Sequence, residues 1–211
     1  MSPEEFLDIL SRERASAILR TDDQQTAAEA MEAAVRGGFR VLEFTLTVPG
    51  AMELIQDFSA RDGLVVGAGT VLDAASARQA VDCGASFLVS PVVDEELIFA
   101  AQALGVASIP GTHTPTEMYR AYRAGAPLQK LFPAPAGGPA YIKACLGPMP
   151  FLRIVPTNGV TPDNAVEFLE AGAYGLGFVA TLFDGEDMKN KDYERIEERA
   201  RTIFTNIGPK P

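Results

Sequence analysis

Lys130 sits in LQKLFPAP (residues 128–135) and is the one lysine of five on a run that reads as a buried strand. Lys143 lies in a helical pattern, and Lys189, Lys191 and Lys210 lie in the polar C-terminal region. Burying an ammonium ion without a partner costs on the order of several kcal/mol, so an amine in such a run calls for a reason. One reason is attack on a carbonyl: apolar surroundings favour the free base that attacks, whereas a carboxylate nearby favours the ammonium. Alternation in LQKLFP sets Lys130 with Leu128 and Phe132, opposite Gln129 and Leu131, and leaves apolar residues on both faces. A plain internal ion pair and a lysine snorkelling outward along its stem are other readings of the same residue.

RVLEFTL (residues 40–46) divides more cleanly. Val41, Glu43 and Thr45 share one face, and Leu42, Phe44 and Leu46 the other. Where helices cover the outside of a sheet, the apolar set belongs outside, and Glu43 becomes a buried carboxylate able to meet Lys130.

These two residues fall in a regular alternation of apolar runs and helical patterns, spaced by about twenty residues, which signals βα units and a parallel sheet. The candidate strands are SAILR (16–20), RVLEFTL (40–46), LVVGAGT (64–70), FLVSP (87–91), ASIPG (107–111), LQKLFP (128–133), LRIVPT (152–157) and YGLGFVA (174–180). Several of the helical stretches between them begin with Asp or Thr and several end in Gly, the preferred cap residues. Eight such units predict an α/β fold of the (β/α)8 TIM-barrel type, with Pro3–Arg12 as an extra N-terminal helix. An open doubly wound sheet is second choice, because GAGT loses the dinucleotide pattern at Leu72 and no acidic residue ends the next strand.

With 211 residues, 47% hydrophobic and 22% charged, and no linker or composition break, the chain reads as one domain over 1–211. A net charge of −10 argues against a nucleic-acid partner, and only 18 Lys and Arg are present to meet an anionic substrate. No run reaches the ~18 apolar residues of a membrane span, and the acidic N-terminus is unlike a secretory signal. Cys83 and Cys145 lack metal or redox spacing and read as free thiols of a cytoplasmic protein. No His/Asp/Glu cluster suggests a metal, and no cofactor is expected. His113, the only histidine, reads as a loop residue near the mouth, and PAPAGGPA as a turn after the sixth strand.

In order along the chain, GFRVLEFTLTVPGA, VVGAGTVLD, FLVSPVVDEEL, IPGTHTPTE, KLFPA, GGPAYIKACLGPMP and RIVPTNGV resemble the 2-keto-3-deoxy-6-phosphogluconate / 4-hydroxy-2-oxoglutarate aldolase family. The resemblance implies a homotrimeric class I aldolase in which Lys130 forms a Schiff base with pyruvate and Glu43 is the general acid/base. It also implies that Arg20 and Thr47 meet the substrate anion, with Thr70, Pro91 and Phe132 lining the pyruvate pocket. Thr157, Asn158, Gly159, Gly177 and Phe178 would lie toward the phosphate end. There the match departs from the family pattern, with Asn158 for a glycine and Val179 and Ala180 where glycine and serine are usual. Arg20 also reads as a surface arginine beside Asp22 and Asp23. Aldol cleavage of a 2-keto-4-hydroxy acid is the first functional reading. Decarboxylation of oxaloacetate through the same iminium is the second, and a non-catalytic keto-acid or sugar-phosphate binder the third.

Overall fold

The structure, a computed structural model, describes residues 1–208, so Lys210 lies outside the described residues. Helix α1 (Pro3–Glu13) precedes β1 (Ala15–Leu19), α2 (Gln24–Arg36), β2 (Val41–Thr45), α3 (Ala51–Ser59) and β3 (Val65–Gly69). Then come α4 (Ala74–Asp82), β4 (Phe87–Ser90), α5 (Glu95–Ala103), β5 (Ala107–Thr112), α6 (Pro115–Arg123) and β6 (Gln129–Leu131). The chain continues through α7 (Gly138–Leu146), β7 (Ile154–Pro156), α8 (Ala165–Glu170) and β8 (Leu176–Phe178), and ends its described part with α9 (Gly185–Asn190) and α10 (Tyr193–Ile207).

Neighbouring strands are parallel and run β7-β6-β5-β4-β3-β2-β1-β8, and a bridge between Thr157 and Gly177 brings the two ends together. The result is the expected (β/α)8 barrel with an N-terminal helix. Local chemistry sets the punctuation: Asp23, Asp73, Asp94 and Thr114 cap α2, α4, α5 and α6, each accepting from first-turn backbone N–H groups. The connections from strands to helices therefore gather at one rim, the C-terminal end of the strands.

Alternation along the strands sorts the core into two shells. Leu42, Phe44, Leu131 and Phe178 join the outer shell beneath the helices. Val41, Val89, Ile109, Leu128 and Val155 fill the barrel interior. This resolves the ambiguity of LQKLFP: Leu131 faces the helices, so Lys130 faces inward with Leu128. Gln129 faces outward and is fully buried, yet satisfied, donating to the Ala126 carbonyl at 3.1 Å and accepting from the Arg153 N–H at 3.0 Å.

Helix α1 closes the opposite, N-terminal end. Its Phe6 and Leu10 enter the inner cluster, and the Phe6 ring stacks on Phe87 with centroids 4.5 Å apart. The Tyr174 hydroxyl donates to the Leu7 carbonyl at 3.1 Å and ties the helix down. Among the described residues the barrel is thus plugged below by α1. Phe6→Ala is expected to destabilise the fold by about 3–5 kcal/mol, because it deletes a fully buried ring and leaves a cavity. A urea titration measures this, and a loss below about 1 kcal/mol would show that α1 merely rests on the barrel.

Candidate active site

Inward-facing residues line one small interior cavity, with Ser16, Ile18, Glu43, Lys130 and Thr157 above and Phe6 and Leu10 of the α1 plug below. Lys130 is only 9% exposed, so the snorkelling geometry does not occur. Its Nζ lies 5.0 Å from the centre of the Phe132 ring, a cation–π distance. The strand that carries it is held on both sides: Lys130 pairs in register with Gly111 of β5 and Val155 of β7. The Thr112 hydroxyl also donates to the Lys130 carbonyl at 2.9 Å. The backbone under the amine is therefore rigid, which favours a reproducible attack geometry.

Glu43 is 3% exposed, and its Oε1 is buried with no hydrogen-bond partner among the described residues. Burial pushes its carboxyl above the ordinary glutamate value of 4.5, and attraction to Lys130 and Arg20 only partly opposes this. A carboxyl raised in this way keeps its proton to higher pH than an exposed glutamate does. Lys130 and Glu43 form no direct ion pair among the described residues, although they attract one another across the cavity they share.

Room for that carboxylate comes from Gly69. A Cβ built there would lie 2.0 Å from Glu43 Oε1. Gly69→Ala is expected to keep the barrel folded, move the carboxylate and lower kcat by about a hundredfold. Steady-state kinetics alongside circular dichroism separates this from unfolding, and kcat within threefold of the parent would mean that the acid's position is not critical.

Arg20, at the end of β1, is exposed, and its Nη2 donates to the Thr70 hydroxyl at 3.1 Å across the mouth. It is also a surface residue beside Asp22 and Asp23, as the other reading of it expects. Thr70 has φ 58°, a left-handed conformation uncommon for a β-branched residue, and strain of this kind concentrates at functional sites. Thr47 is exposed, with its hydroxyl 2.8 Å from that of Thr45 on β2. Pro91 and Phe132 line a second recess at the rim together with Thr112 and His113. His113 Nδ1 is 3.0 Å from the Pro133 carbonyl, and the Tyr141 hydroxyl donates to the His113 carbonyl at 2.7 Å. The histidine therefore braces the loop that follows Lys130.

Between β7 and β8, Thr157 is buried in the main cavity, and Gly177 must lack a side chain because a Cβ would lie 2.5 Å from Thr157 Oγ1. Asn158 and Gly159 stand exposed at the rim with φ 61° and 119°. Phe178 requires a correction. Its ring belongs to the outer shell, 6.1 Å from Phe39 and tilted by 72°, because it directly follows the inward position Gly177 and alternation turns it toward the helices. Ser16 and Ile18 were missed as cavity residues. Alternation in SAILR places Ser16, Ile18 and Arg20 on one face, so the signal was present.

A model of a family described as "KDPG and KHG aldolase" matches residues 7–199 of this chain. The chain belongs to that family. Among curated relatives, the 2-dehydro-3-deoxy-phosphogluconate aldolase of Pseudoalteromonas atlantica is 32% identical, over 92% of this chain and 91% of the relative. The 2-dehydro-3-deoxy-6-phosphogalactonate aldolase of Escherichia coli is 33% identical, over 79% and 83% of the two chains. The solved structure of KDPG aldolase from Legionella pneumophila, with pyruvate captured as a covalent carbinolamine, superposes with a TM-score of 0.84 at 28% identity, over 93% and 97%. The protein is accordingly an aldolase, a lyase. Relatives that share the fold bear names for different sugar acids, so family membership leaves the substrate of this aldolase to be argued from its own rim.

Proposed function

We propose that this aldolase cleaves a 2-keto-4-hydroxy acid reversibly to pyruvate and an aldehyde, through a Schiff base on Lys130. Substrates of the 2-keto-3-deoxy-(6-phospho)gluconate and 4-hydroxy-2-oxoglutarate types fit this chemistry, with glyceraldehyde 3-phosphate or glyoxylate as the aldehyde. The observation that carries the reading is that Lys130 and Glu43 are both buried and line the same interior cavity of the barrel. The pyruvate carbinolamine in the Legionella relative supports it.

The Lys130 amine adds to the C2 ketone and water leaves, forming a protonated imine. Glu43, as carboxylate, takes the proton of the C4 hydroxyl. The C3–C4 bond then breaks, its electron pair moves toward the imine nitrogen to give an enamine, and the aldehyde departs. Glu43, now neutral, returns the proton to C3, and hydrolysis of the imine frees pyruvate and regenerates the amine. Arg20, with Thr47 and Thr70, holds the pyruvate carboxylate, while Pro91 and Phe132 wall the pocket. Thr157, Asn158, Gly159 and Gly177 face the distal part of the substrate.

Borohydride reduction in the presence of pyruvate, followed by peptide mapping, is expected to leave one covalent adduct, on Lys130. No adduct, or an adduct on another lysine, overturns the mechanism. The same iminium can release carbon dioxide from oxaloacetate, a second reading favoured by the apolar Val179 and Ala180 after β8. Comparing turnover of oxaloacetate with that of phosphorylated and unphosphorylated keto-deoxy acids decides between the two. As the resemblance implies, the enzyme acts as a cytoplasmic homotrimer of single-domain subunits, without cofactor or metal.

A further inference from the structure

His113 is the one histidine of the chain, and the proposed chemistry gives it no part. It directly follows β5 and stands beside β6, the strand of Lys130: Gly111 pairs with Lys130 and Thr112 with Leu131. Two helices hold its backbone. The His113 N–H donates to the Glu117 carboxylate of α6 at 2.7 Å, and its carbonyl accepts from the Tyr141 hydroxyl of α7 at 2.7 Å. From this fixed base the ring reaches the segment after Lys130, where Nδ1 lies 3.0 Å from the Pro133 carbonyl. A carbonyl oxygen only accepts, so the contact assigns a proton to Nδ1.

Pro133 follows Phe132, whose ring centre is 5.0 Å from the Lys130 amine. We infer that His113 is a positioning residue for the Schiff base: by holding the Pro133 carbonyl, it seats the Phe132 ring against the Lys130 nitrogen and the pyruvate joined to it. The inference rests on the aldolase reading above and adds to it a residue that acts through Phe132.

Three observations carry it. First, the connection from Pro133 to Tyr141 is tied to His113 at both ends, by the imidazole at its start and by the Tyr141 hydroxyl at its finish. Second, the Pro133 carbonyl and the Ala134 N–H belong to one planar peptide unit that is gripped from opposite sides. The N–H points to the carbonyls of Thr157 and Asn158 after β7, at 3.2 and 3.0 Å, and the carbonyl points to His113. Removing the imidazole therefore leaves the loop anchored on its β7 side but lets this peptide, and the ring before it, turn. Third, His113 and Phe132 line the same recess with Pro91, so the brace borders the pocket wall that it supports. The wall bears on an electrostatic contact: the face of an aromatic ring attracts the positive charge that the nitrogen carries in the protonated imine.

His113→Leu removes the donor and keeps a side chain of comparable bulk, whereas His113→Asn returns an N–H donor near the position of Nδ1. Exchange of the pyruvate methyl protons with deuterium oxide reads the effect without an aldehyde, because the imine loses a C3 proton to Glu43 and regains a deuteron there. His113→Leu is expected to raise KM for pyruvate about fivefold with kcat within twofold of the parent, and His113→Asn to bring KM back to within twofold. Phe132→Leu should raise KM by itself, and adding His113→Leu to it should change KM by less than twofold. Nitrogen NMR of the parent should show the neutral imidazole with its proton on Nδ1; with a single histidine, its signals need no assignment. The inference is overturned by a His113→Leu KM within twofold of the parent, by a His113→Asn variant as impaired as His113→Leu, by effects of His113→Leu and Phe132→Leu that multiply, or by a proton on Nε2. Borohydride trapping of pyruvate in the parent judges the Schiff base separately. Failure there overturns the mechanism, while the imidazole tautomer still reports on the His113 contact.

Discussion

Lys130→Met is expected to lower kcat/KM for cleavage on the order of ten-thousandfold or more, with the barrel intact. Methionine keeps an unbranched stem of similar volume, so the inner packing with Leu128 and Phe132 survives, but no nucleophile remains to form the imine. Without the imine, the electrons of the breaking C3–C4 bond have no sink, and the carboxylate of Glu43 alone cannot make up the difference. Lys130→Arg should be as inactive, because a guanidinium keeps the charge and is no nucleophile. The thermal midpoint should not fall, since the side chain lost is a cation in a site only 9% exposed. Measuring pyruvate release together with thermal melting checks both halves. Retention of more than a tenth of parent activity by either variant would place the chemistry on another residue.

Glu43→Gln separates the second role from the first. The glutamine has nearly the same shape but can neither take the C4 hydroxyl proton nor protonate the enamine, so kcat is expected to drop about 10²–10⁴-fold. Imine formation needs less of this residue, so borohydride trapping of pyruvate on Lys130 should persist. The same variant has a stability signature. The carboxyl of Glu43 titrates higher in the folded protein than in the unfolded chain, because folding buries it. Its neutral form is therefore favoured by folding: the contribution is intact below the ordinary value of 4.5 and is lost as pH rises through the raised folded value. Above that range the parent protein bears the cost of a buried carboxylate, which glutamine does not incur. The melting temperature of Glu43→Gln relative to the parent should thus climb as pH rises from about 4.5 through the raised folded value and then level off. A difference that is flat with pH, or that falls as pH rises, would show that Glu43 is not held in an apolar environment. Activity traded against stability in one residue is what a functional carboxylate in such a place predicts.

Much of this was legible in the chain. Strand spacing and cap residues determined the eight βα units, because the period-two and period-3.6 patterns and the Asp and Thr caps act over a few residues each. RVLEFTL assigned Glu43 to the interior through alternation alone, since its other face is wholly apolar. LQKLFP had no such contrast, and only the closed barrel, by sending Leu131 under the helices, turned Lys130 inward. Phe178 misled for the same reason in reverse: the segment was matched as a motif, whereas the register of β8 gives the cavity to Gly177 and sends the ring outward. The pairing of Arg20 with Thr70 joins the ends of β1 and β3, fifty residues apart. Sequence specifies what each residue can do and the local period on which it repeats. Which residues share a cavity is settled by strand register and barrel closure, because those long-range contacts alone decide which faces are turned away from water.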